Sequence, residues 1–97
     1  MSELWTDAEL KHAILAYFEM LKYEKNGTPY VKAEINRKLQ KKIPKRKSGS
    51  IEYRWQNISA VLLENKKVFV RGYKPARNVG SSVKERIWKI INDLNLL

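Results

Sequence analysis

The stretch that decides the reading is Ser48–Gly80, SGSIEYRWQNISAVLLENKKVFVRGYKPARNVG. Placed at roughly 100° per residue, Ile51, Trp55, Ile58 and Leu62 fall in one narrow arc. That arc predicts a helix over about 50–64, capped by Ser48 or Ser50, with those four residues against a core. Tyr53, Gln56, Asn57 and Ala60 fall opposite. Glu52 and Leu63 lie on one flank, and Arg54 and Val61 border the other. Glu64–Lys67 is a polar break. Val68-Phe69-Val70 is a short β-prone run, and Gly72 and Pro75 punctuate the residues after it. Residues 66–77 therefore read as a two-stranded basic wing or simply a strand and a loop, the wing being favoured, and they carry Arg71, Lys74 and Arg77.

Upstream, seven basic residues and no acid occupy Arg37 to Lys47. Pro44 ends any helix before it, because the residue preceding proline is driven out of the α region. The connector 41–49 comes after the second helix, which is expected to open at Thr28-Pro29 and to carry Val31, Ile35 and Leu39 on one face. The first helix spans about 5–25. Thr6 and Glu9 form a capping box, Trp5 and Leu10 a hydrophobic staple, and Leu10, Ile14, Tyr17 and Leu21 a buried face. Asn26-Gly27 stops it. Ser82 and Glu85 make a second capping box for a last helix, buried through Val83, Ile87, Ile90, Ile91 and Leu94. The fold class expected is mainly α: one winged-helix or helix-turn-helix-like domain over 1–97, with four helices and a short β wing between the third and fourth.

The charge is uneven. Of 97 residues, 20 are basic and 10 acidic, a net charge of +10. Residues 1–29 hold three basic and five acidic residues, residues 30–50 eight and one, and residues 51–97 nine and four. A cationic middle and C-terminal part point to a polyanionic partner, because neutralised phosphates release condensed counterions. With no cysteine, disulfides and thiolate metal sites are excluded. No apolar run reaches membrane-spanning length, and no basic-then-apolar leader opens the chain. The one histidine, His12, has only Glu9 and Lys11 as near neighbours in sequence. No glycine-rich phosphate loop, metal-ligand cluster or nucleophile motif appears. The expectation is therefore a cytoplasmic, nucleoid-associated protein with no cofactor, no metal and no enzymatic constellation of its own.

For nucleic-acid readout, a helix enters the major groove and touches base edges from its early turns. Gln and Asn suit the adenine N6 and N7 pair, Ala a close approach, and Tyr a hydrogen bond or stack. The base-contact candidates are therefore Tyr53, Gln56, Asn57 and Ala60. The phosphate candidates are Arg37, Lys41, Lys42, Lys45, Arg46, Lys47, Arg54, Arg71, Lys74 and Arg77, which would position the protein rather than specify sequence.

SIEYRWQNISAVLLEN followed by GYKPARNVG resembles the amino-terminal domain found ahead of the catalytic part in bacterial HNH-type, modification-dependent restriction endonucleases. The likeness extends to LWTDAEL and YVKAEINRKL and covers nearly the whole chain. It implies a winged-helix-like module that binds DNA and senses a modified base such as methylated adenine. Carried over by position are Arg54, Gln56 and Asn57 from the first string, and Tyr73, Lys74 and Asn78 from the second. The sequence stops at Leu97 without HNH residues, so the expectation is either part of a nuclease or a stand-alone relative that acts with one.

The partner expected is double-stranded DNA, with a nuclease, another protein or a second copy also admitted. A different class stays open: a protein-interaction module or small homodimeric adaptor without DNA affinity, using Trp88 and the apolar C-terminus. RNA binding is a weaker rival, because no aromatic platform on a sheet is expected.

Overall fold

In the computed structural model, which describes residues 4–97, four helices succeed one another: α1 (Asp7–Lys25), α2 (Lys32–Lys42), α3 (Ser48–Glu64) and α4 (Ser81–Asp93). α1 and α3 each touch all three other helices, whereas α2 and α4 do not touch each other. The α1–α3 pair is thus the spine. It is built from Leu10, Ile14, Tyr17 and Leu21, which periodicity marks on α1, joined there by Ala13 and Met20, and from Ile51, Trp55, Ile58 and Leu62 on α3. Trp55 Nε1 donates to Ala13 O at 3.0 Å, and the Tyr17 hydroxyl meets Ser59 Oγ at 2.7 Å. These bonds climb both helices in the same order, so α1 and α3 run side by side in one direction. Ile35 and Leu39 close the core from α2, and Ile87 and Ile91 from α4.

The expected β wing is not there. Among the described residues no strand forms, and 65–80 is an irregular strap laid over α3. The β-prone run finds no partner strand; its polar groups and side chains go to helices instead. Val70 N donates to the Tyr17 hydroxyl at 2.8 Å and Arg71 N to Glu24 Oε1 at 3.0 Å. Tyr73 packs its ring on Trp55, 5.2 Å between centroids. Lys32 Nζ stands 4.7 Å from the centre of the Tyr73 ring and donates to Gly72 O. Ala76 N donates to Gln56 O, Asn57 Nδ2 to Ala76 O, and the Tyr53 hydroxyl to Asn78 O. The strap thus runs back along α3 from its C-terminal half toward its first turns. The mainly helical part of the expectation fits; the wing does not.

The helix ends show where local chemistry rules and where it does not. The Thr6–Glu9 capping box forms as expected, with both reciprocal bonds present. α2 starts at Lys32 rather than at Thr28-Pro29, because residues 28–31 complete the turn out of α1. Thr28 N donates to Tyr23 O, Tyr30 stacks on Tyr23, and the Tyr30 hydroxyl donates to Glu24 Oε2 at 2.6 Å. α3 begins at Ser48 behind Lys47, and α4 at Ser81 behind Gly80, neither with a side-chain cap, so the Ser82–Glu85 capping box does not form. α1, α3 and α4 end alike. Gly27, Lys66 and Asn95 take positive φ after them. In each case the next residue's N–H reaches back to close the last turn: Thr28 to Tyr23 O, Lys67 to Leu62 O and Leu96 to Ile91 O.

Candidate nucleic-acid interface

The strap changes what α3 can show. From Asn57 to Leu62 every residue of α3 is buried, which is the signature of a central helix rather than a presented one. Asn57 and Ala60 are 0% exposed, so neither is a base contact in this fold. The helical wheel places them outward correctly with respect to the other helices. The strap then covers Asn57, and an irregular segment leaves no periodicity for a wheel to detect. Asn57 instead binds the fold: it accepts from Arg54 Nη1 at 2.9 Å and donates to Ala76 O at 3.1 Å. The strap buries Val70 and Tyr73, but one such pair in an irregular segment carries no pattern that sequence periodicity could flag.

What α3 exposes is its start. Ser48, Gly49, Ser50, Glu52 and Tyr53 are open to solvent, Tyr53 at 44%, and Gln56 is half-buried beside them. No acidic residue lies in the first turn of α3. On the approach, Lys41, Lys42, Lys45 and Lys47 are exposed, and Arg37 lies exposed on α2. Lys74 and Arg77 sit on the part of the strap that Ala76 and Asn78 tie beside Gln56 and Tyr53, Lys74 exposed and Arg77 in reach of solvent. The connector and the strap therefore bracket the first turns of α3 with cations. Arg71 is exposed too, but its backbone is held at Glu24 near the far end of α1, so it stands apart from this group.

Two of the expected phosphate contacts are committed elsewhere. Arg46 makes a two-pronged pair with Glu9, Nε to Oε2 at 3.0 Å and Nη2 to Oε1 at 2.8 Å, and also donates to Leu4 O. That pairing holds the Glu9 carboxyl below its ordinary value. Arg46 and Arg54 each lie 5.1 Å from the centre of the Trp5 ring, and Arg86 donates to Trp5 O at 2.6 Å while pairing with Asp7. Trp5 is thus a peg gripped by three arginines, a use that sequence periodicity does not reveal. Burial lowers the Arg54 pKa, and its Nε is enclosed without a partner. Of the residues carried over by resemblance, Tyr73 is buried, with its phenol pushed up to about 12 by desolvation first and by Glu52 second. Lys74 and Asn78 are exposed.

His12 is half-buried at a shallow groove between α1 and α2, beside Leu15, Glu19 and Lys38. Among the described residues no group of His, Asp or Glu could hold a metal ion, and no helix is long and apolar enough to cross a membrane. No protein-family model matches the chain, and no curated protein or solved structure matches it either.

Proposed function

We propose that this chain binds double-stranded DNA through the opening turns of α3, together with the lysines of the last turn of α2 and of the connector after it (41–47) and the Lys74–Arg77 part of the strap. The observation that carries the reading is the division of the cations. Arg46, Arg54 and Arg86 are turned inward on Trp5, whereas Lys41, Lys42, Lys45, Lys47, Lys74 and Arg77 face solvent on the two segments flanking one helix start. Cations around a helix start match the way phosphates are gripped while early helix residues approach base edges. Tyr53 and Gln56 are the base-edge candidates that remain. The reading is of a binding module and not an enzyme; a partner nuclease, the sensing of a modified base and residence at the nucleoid belong to the same proposal and rest on the resemblance alone.

Binding of a fluorescent duplex at low salt tests it. Lys47→Ala, Lys74→Ala and Arg77→Ala should each weaken binding to all duplexes alike and lower the log–log salt slope by about 1 where a phosphate contact is lost. Lys89→Ala, on α4 and paired with Asp93, should change neither. Matched unmodified, adenine-methylated and cytosine-methylated duplexes test the modified base. A concentration-dependent dimer with no duplex affinity at low salt would instead support the interaction-module reading.

A further inference from the structure

One carboxylate sits where a DNA-binding surface should not want it. Asp7, Glu9, Glu64 and Asp93 are paired with Arg86, Arg46, Lys84 and Lys89, and Glu24 accepts from Tyr30 and from Arg71 N. Glu34 lies in the first turn of α2, where the helix dipole favours an acid. Among the described residues Glu19 and Glu85 are exposed and unpaired too, but on α1 and α4, away from the first turns of α3; Glu52 is the one on that surface. It is exposed in the second turn of α3, past the reach of the dipole, and among the described residues it makes no hydrogen bond or ion pair. By helical spacing it lies beside Ser48, Gly49, Tyr53 and Gln56 on the solvent-facing start of α3. The connector lysines lead directly into that start, and Lys74 and Arg77 lie on the strap segment that Ala76 and Asn78 tie to Gln56 and Tyr53.

A carboxylate in this place repels phosphate and so lowers affinity for any duplex. It is repaid only by a hydrogen-bond donor, because an ionised carboxylate accepts and cannot donate. In the major groove the bases offer donors at the cytosine N4 and adenine N6 amino groups, whereas guanine presents N7 and O6, both acceptors. Cytosine N4 stands without a neighbouring acceptor on its own base, and acidic side chains are its usual partners. We infer that Glu52 is a specificity-determining residue, accepting from a cytosine N4 amino group in the major groove and rejecting guanine at that position. The inference rests on the duplex-binding reading above and names what its helix would read.

The test is site selection from a randomised duplex pool, followed by titration of the selected duplex and of one with the C·G pair reversed, using the parent, Glu52→Ala and Glu52→Gln. Glu52 is exposed and unbonded, so both variants should melt with the parent. The parent should prefer C·G over G·C at one position by about tenfold. Glu52→Ala should lose that preference while binding the reversed duplex more tightly than the parent does. Glu52→Gln, which gains a donor, should relax the rejection of guanine. If Glu52→Ala keeps the parent's base preferences and merely tightens all duplexes equally, Glu52 only tunes charge and the inference fails. A parent that binds duplexes with no base preference overturns it while leaving duplex binding intact, and a parent with no duplex affinity overturns both.

Discussion

At single residues, the arginines teach the most. Arg46 and Arg54 look in sequence like two more members of a cationic patch, yet both are drawn onto Trp5. What separates them from Lys45 and Lys47 is the planar guanidinium, which can fork onto a carboxylate and stack on an indole at once. Glu9 serves two partners through its two oxygens, the Thr6 N–H and Arg46. Glu9→Gln keeps a side chain fit for the capping box but removes the charge opposite Arg46. It should destabilise the fold by about 1–3 kcal/mol at neutral pH, measured by urea unfolding. The Glu9 carboxyl is held below its ordinary value of 4.5, chiefly by Arg46. Its contribution is therefore full above about pH 4.5 and lost as pH falls through the lower folded value, so the gap between parent and variant should close in acid. Asn57→Ala should act on stability first. It orphans an Arg54 donor and the Ala76 carbonyl, at a cost of about 1–3 kcal/mol, so a change in DNA preference without a drop in melting temperature would contradict its structural role.

At the level of elements, the helices are legible in the sequence and the strap is not. Leu10, Ile14, Tyr17 and Leu21, or Ile51, Trp55, Ile58 and Leu62, repeat at helical spacing because one side of each helix faces a core, and both sets are buried as that spacing demands. Val68-Phe69-Val70 carries β propensity, but propensity needs a neighbouring strand to act on, and here the Tyr17 hydroxyl and Glu24 take the backbone donors. Helix starts are harder to read than helix ends. Serines at 48, 50 and 82 offer caps that the chain does not use, whereas the Asn26-Gly27 stop after α1 lies where the sequence places it. The end of α3 is the exception. Lys66 holds φ of 58° where Gly27 serves after α1. Its Cβ is strained there, so Lys66→Gly should raise stability by about 0.5–1 kcal/mol, read as a higher melting temperature.

Over the whole molecule, charge and structure are partitioned. The acids are concentrated in the first 29 residues and several are consumed in pairs, while the exposed lysines of the connector stand among cations alone. Duplex affinity governed by the lysines of connector and strap should fall steeply with salt. With about four to six phosphates engaged, the slope of log affinity against log salt should lie near −4 to −5. Titrations between low and physiological salt measure it, and a flat response would remove the electrostatic basis of the proposed function. Net charge makes a polyanion worth considering. It cannot tell which cations are spent inside, because that depends on Trp5 meeting three arginines brought from the connector, α3 and α4.

The strap also orders events in time. Its anchor points, Tyr17 and Glu24 on one helix and Tyr53, Gln56 and Asn57 on another, exist as a set only after α1 and α3 have docked. Residues 65–80 can therefore complete their contacts only once those two helices are packed together. Their ties reach Asn57, whose side chain donates to Ala76 O, so the strap and the middle of α3 are held as one unit. A ligand that grips Lys74 and Arg77 would thus pull on a segment anchored in the core through Val70 and Tyr73.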